Sequence, residues 1–285
     1  MRTYSIPRQI WRVIYPVLIF LAIQLFVSFS AAGIYTASMA MKNINSVNYG
    51  ELAEEVKRWA VNNTNFLVLI SNIICLAPFL PIWLITRKRT AQYRIKNPAL
   101  VFAFIFFIVN GFNMTLEFLL STTDVVRYFP TYDFVSEAIA GGNIFVRFLA
   151  LVIAAPLVEE MCFRGVILSR LLAWTPPWAA VTVQAVLFGL VHMNLLQGIY
   201  AFILGAILGF IYTRFRKLRF CIAGHMAFNF VAFVIILIQE KGIGIPIPAF
   251  IPGVMIFALC GYYLLKLPVA DTVLEINNLE GREIS

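Results

Sequence analysis

Charge is what this 285-residue sequence has least of: 13% of its residues are Asp, Glu, Lys or Arg, about half the soluble-domain share of about 25%. With 61% hydrophobic residues, a water-soluble fold would leave large apolar patches exposed, which excludes a cytosolic enzyme and a disordered chain. The four cysteines, Cys75, Cys162, Cys221 and Cys260, show no C-x-x-C spacing and sit in or beside apolar runs. They read as apolar packing residues, not as a disulfide frame or a metal knuckle. No H-E-x-x-H helix and no Ser-His-Asp arrangement is visible, and the chain has only two histidines. The net charge of +8 comes from short basic clusters between apolar runs. Such clusters are membrane-topology signals rather than a nucleic-acid surface, so no nucleic-acid partner is expected.

Long apolar runs are what the sequence does have. A helix needs about 20 apolar residues to cross the hydrocarbon core, and eight stretches qualify: 13–36, 66–86, 99–120, 144–168, 178–193, 196–214, 222–239 and 248–265. The expected fold class is all-α, a polytopic integral membrane protein of about eight transmembrane helices. Residues 1–267 form one membrane domain and 268–285 a polar cytoplasmic tail. Placing the N-terminus inside puts Arg87, Lys88, Arg89, Arg94 and Lys96 on the inner side, together with Arg170, Arg214, Arg216, Lys217 and Arg219. Arg164 counts with them, and the outer side keeps Lys42, Lys57, Arg58, Arg127, Arg147 and Lys241. This asymmetry predicts both termini in the cytoplasm. Within 37–65, Leu52, Val56 and Trp59 at helical spacing predict a short interfacial helix. Residues 121–143 read as a turn-rich loop ending in Gly141-Gly142.

Ionisable groups at a helix centre cost about 2.5–3.5 kcal/mol on the gentlest scale, so those retained there point to function. Three spans carry them. One holds Glu159, Glu160 and Arg164, the next Phe188 and His192, and a third His225 and Asn229. Glu160/Arg164, Phe188/His192 and His225/Asn229 are each i,i+4 pairs, so each helix presents a two-residue patch to a common centre. Glu159 points about 100° away from Glu160. One glutamate can therefore pair with Arg164 while the other faces a cavity. Pro156, just before them, is placed to bend the helix and free a carbonyl. These groups suit peptide hydrolysis. Two imidazoles can hold a zinc ion or a water, a carboxylate screened from water suits a general base, and the Asn229 amide can meet an oxyanion.

In order and spacing, E-E-x-x-x-R at 159–164, F-x-x-x-H at 188–192 and H-x-x-x-N at 225–229 resemble the motifs of the CAAX-protease and bacteriocin-processing family of intramembrane proteases. The resemblance covers about residues 155–230. It implies cleavage near the carboxyl end of a protein or peptide substrate, which some family members recognise as a prenylated tail, within membrane lipid. By the same resemblance Glu159 is the water-activating base, with His192 beside it on the water or metal. Glu160 pairs with Arg164, and His225 with Asn229 positions the scissile carbonyl. A divalent metal, zinc, held by His192, His225 and Glu159 is the expected cofactor, and a metal-free glutamate mechanism is the alternative.

Other readings stand beside this one. A transporter or channel could use the same glutamates and histidines as a relay, although no inverted repeat is visible. A non-catalytic bacteriocin-immunity protein could keep the motifs. Phe188 is read as core packing, and Gly205 and Gly209 as a close helix contact. Asn110, Asn113 and Glu117 share one helix face, read as a helix-contact stripe rather than a cavity wall. A regular ladder of spans would put His192 and His225 at opposite membrane surfaces. A shared site therefore requires the fifth helix to stop short and the sixth to begin near Asn194–Gln197, beside a cavity open to the cytosol.

Overall fold

Apolar runs in lipid can satisfy their backbone hydrogen bonds only by closing them internally, which favours the helix. The computed structural model describes residues 5–42, 48–87, 97–244 and 246–266, and all its regular elements are helical. The helices are α1 (Ile6–Lys42), α2 (Tyr49–Arg87), α3 (Pro98–Thr122), α4 (Thr131–Ala140) and α5 (Ile144–Leu171). They continue with α6 (Pro177–Leu190), α7 (Leu195–Phe215), α8 (Leu218–Glu240) and α9 (Ile251–Lys266). The expected tail, 268–285, and Lys88, Arg89, Arg94 and Lys96 lie outside the described residues.

The all-α membrane architecture holds, and among the described residues the count of eight spans is not confirmed. Among the described residues five helices (α1, α2, α3, α7 and α8) are long and apolar enough to cross, and α4 with α5, bent by 113° at their junction, brings the number to six if the pair is one span. The 14-residue α6 rises about 21 Å against a core of about 30 Å. Its early stop and the start of α7 at Leu195 are the break that a shared site requires.

Two local expectations are corrected. The amphipathic stretch after Tyr49 is not a separate interfacial helix but the first turns of the 39-residue α2. The segment 121–143 is not a plain loop. It forms a 3₁₀ turn, Asp124–Tyr128, and then α4, whose apolar face is partly buried and whose Asp133 and Glu137 are exposed. Arg147 and Arg164 are also poor topology markers, since both are buried and ion-paired.

The helices pack α1 on α2, α2 along α5, α6 on α7, and α3 against both α8 and α9. One end of the bundle gathers basic residues: Arg170 at the end of α5 donates to the Arg12 carbonyl and to Tyr15 Oη at 2.8 Å. At the other end Arg147, at the start of α5, makes a two-pronged ion pair with Glu240 and also donates to the Ala140 carbonyl. The Asn65 amide of α2 donates to the carbonyls of Ala138, Ile139 and Gly141, and Asn194 donates to Thr131 Oγ1. Helix α4 is thus pinned at both its termini.

Candidate active site

Helix α5 begins sharply. Gly142 adopts a positive φ of 81°, and the Asn143 side chain accepts from the backbone N–H groups of Phe145 and Val146. Two π-helical segments, Leu149–Ala154 and Met161–Leu168, then flank the α-helical turn Ala155–Glu160. In the first segment the Ala155 N–H bonds to the Ala150 carbonyl, five residues back. The next bond in that register would run from residue 156 to Leu151, but Pro156 has no N–H. The freed Leu151 carbonyl accepts instead from Asn229 Nδ2 of α8 at 2.7 Å. Pro156 therefore frees a carbonyl as expected, and that carbonyl is what locks α8 onto α5. One N–H of the Asn229 amide, the group read as an oxyanion donor, is used in this contact.

Glu160 and Arg164 are fully buried. Glu160 Oε1 accepts from Arg164 Nη1 at 2.6 Å and from His225 Nδ1 at 2.9 Å. Arg164 Nη2 donates to the Gly205 carbonyl of α7 at 3.2 Å, and its guanidinium lies 4.6 Å from the Phe188 ring centroid. One ion pair thus ties α5 to three other helices. Bonding through Nδ1 turns His225 Nε2 toward Glu159 Oε2, 3.8 Å away. That separation is too long for a direct hydrogen bond.

His192 is positioned by the end of α6. Its backbone N–H turns to the Gly189 carbonyl, and its Nδ1–H takes the Phe188 carbonyl at 2.7 Å. The second ring nitrogen is left with a lone pair free to accept. Met193, at a left-handed φ of 56°, reverses the chain. Asn194 then caps α7 by accepting from the Gln197 N–H. The turn is tight: a Cβ on Gly189 would stand 2.6 Å from the Gly198 carbonyl oxygen. The Gly205/Gly209 contact is also real, with Gly205 against Ala185 and Phe188 and Gly209 against Val181 and Gln184.

Glu159, His192, His225 and Asn229 all line one cavity of about 490 Å³. Glu160 and Arg164 lie behind this wall, reached through His225 and the Phe188 ring. The remaining wall comes from α4, from mid-length residues of α1 and α2, from the last turns of α3, from the first half of α7 and from the second half of α8. The cavity therefore extends away from the basic end of the bundle. Asn113 is both a helix contact, donating to the Phe228 carbonyl, and a cavity residue; Glu117 lines the cavity. The expected metal set of His192, His225 and Glu159 is not gathered around a point. Among the described residues no group of three or more His, Cys, Asp or Glu side chains is placed to hold a metal ion.

Residues 141–231 match the family model of type II CAAX prenyl endopeptidase Rce1-like proteins. This chain carries an Rce1-like segment. All three motifs lie inside it, so the family resemblance read from them holds, and the activity it indicates is intramembrane proteolysis. No curated protein and no solved structure matches the chain. Helices α1 to α4 and α9 fall outside the Rce1-like segment, yet α2, α3 and α4 supply much of the cavity wall.

Sequence reasoning missed three features of the segment. The Phe188 carbonyl orients His192, and the signal for it is F-x-x-x-H at a helix end, where the last carbonyls lack partners. The Gly205 carbonyl holds Arg164, and the Phe188 ring is more than packing, standing 5.0 Å from His192 and 5.8 Å from His225 between centroids.

Proposed function

We propose that this protein is an integral-membrane endopeptidase that cleaves a protein or peptide chain by a glutamate-activated water, near the substrate's C-terminus. The observation that supports it most is the shared cavity: Glu159, His192 and His225 face one space, while Glu160, Arg164 and Phe188 hold the two imidazoles from behind. In this reading a water sits between Glu159 and the acceptor nitrogen of His192. Glu159 takes its proton as the hydroxide adds to the scissile carbonyl. His225 Nε2 faces the same place and polarises that carbonyl or the leaving amine. Glu159 then returns its proton to the departing amine, so the peptide bond breaks with one water consumed. Arg164 and Glu160 do not touch substrate. They fix the His225 ring, and Asn229 fixes the helix that carries it. The apolar part of the cavity, which includes Leu120, Phe134, Val135 and Ile236, accommodates a hydrophobic or lipidated substrate segment. Both termini lie on the cytoplasmic side.

The test is cleavage of a peptide library by the purified full-length protein in detergent, read by mass spectrometry. Glu159→Ala and His192→Ala are each expected to lower the rate by about 10²–10⁴-fold. Cleavage that survives both substitutions, or ion flux in liposomes without any cleavage, would overturn the assignment. Metal content and activity after chelation, measured on the same protein, check the water-only mechanism, which expects activity to persist.

A further inference from the structure

Four glutamates stand in the bundle interior or at its polar end: Glu160 is buried, Glu159 and Glu117 are half-buried, and Glu240 is exposed. Three have a basic neighbour: Glu160 has Arg164 and His225, Glu159 faces His225, and Glu240 is paired with Arg147. Glu117, on the last turns of α3, is the exception. It lines the same cavity as Glu159, and among the described residues no Lys, Arg or His forms an ion pair with it. Its neighbours are neutral: the Gln239 amide lies beside it, and Tyr132 and Tyr200 line the same cavity. No Lys or Arg contributes to the described cavity wall. A carboxylate in a membrane-spanning helix without a counter-ion is costly to keep. A cavity with two carboxylates and no Lys or Arg favours a positively charged guest. Two tyrosine rings beside the carboxylate add faces on which a cation can rest.

We propose that Glu117, flanked by Tyr132 and Tyr200, is a specificity subsite for a basic side chain, Lys or Arg, of the substrate. The proposal rests on the peptidase reading for its meaning but not for its test. A substrate entering past α4 meets Glu117 and Glu159 along one cavity. The salt bridge at Glu117 then sets which peptide bond reaches the water. The same cavity offers no cation for a substrate carboxylate.

The experiment measures binding and cleavage separately. Full-length protein in detergent, as wild type and as Glu159→Ala, is titrated with a labelled Leu/Ala-rich peptide carrying one Lys. The same peptide with acetyl-lysine or Glu at that position is titrated in parallel. The Lys peptide is expected to bind about tenfold more tightly than the acetyl-lysine peptide. Glu117→Gln should erase the difference, and Glu117→Lys should shift the preference to the Glu peptide. In cleavage, Glu117→Gln should raise KM for the Lys peptide while leaving kcat near wild type. Equal binding of the Lys and acetyl-lysine peptides to wild type, or a Lys preference that survives Glu117→Gln, would overturn the subsite. A Lys preference in binding without cleavage would instead overturn the peptidase reading and leave the subsite standing.

Discussion

Arg164 shows how one side chain can serve several partners. Its guanidinium bonds to Glu160, bonds to the Gly205 carbonyl and covers the Phe188 ring. Removing one partner of a buried pair leaves the other charge stranded, a loss of about 3–5 kcal/mol. Arg164→Met is therefore expected to lower thermal stability in detergent sharply and to abolish cleavage. Adding Glu160→Gln should recover part of the stability, because the stranded charge is gone, but not the activity, because His225 loses its anchor. Thermal unfolding and cleavage assays on the single and double variants check both halves. The Glu160–Arg164 pair was legible from its i,i+4 spacing. The Asn229–Leu151 contact was not, since it joins residues 78 apart and depends on a π-helical register that no apolar pattern reports.

At the scale of elements, the tip of the α6–α7 hairpin decides where His192 stands. Gly189 and Gly198 bring the two helices together without side chains between them. Gly189→Val should force the hairpin apart at about 1–3 kcal/mol of strain, lowering the unfolding temperature and the cleavage rate together. Gly33→Ala, on α1 with nothing within 4 Å of the new methyl group, should change neither. The break between α6 and α7 could be anticipated because two histidines otherwise lay at opposite surfaces. Helix α4 could not, because its ten residues are short and mixed in polarity and Gly141-Gly142 follow them, which looks like a loop. The first turns of α2 were misread for a related reason: polar residues continue the helix beyond its apolar run instead of starting a new one.

For the molecule as a whole, the apolar character and the family motifs were legible in composition and spacing, while the depth of the cavity was not. Depth depends on how the helices are offset along the bundle, and that offset is set by contacts such as Arg170–Tyr15 and Arg147–Glu240. If the basic end is cytosolic, exposed Asp133 of α4 and exposed Arg219 at the start of α8 face opposite sides. A membrane-impermeant maleimide applied to intact cells should then label an Asp133→Cys variant and spare an Arg219→Cys variant, with the reverse result after inversion of the membrane.

The short α6 also bears on the surrounding lipid. Its tip carries Leu190, Met193 and Leu195, all turned outward, and stops about 9 Å short of the thickness of an ordinary hydrocarbon core. Acyl chains beside that tip must splay or shorten to cover it, at a cost of fractions of a kcal/mol per Å. Under the peptidase reading, a leaflet thinned beside the His192 tip would give a chain threading through lipid its thinnest barrier to solvent at that point.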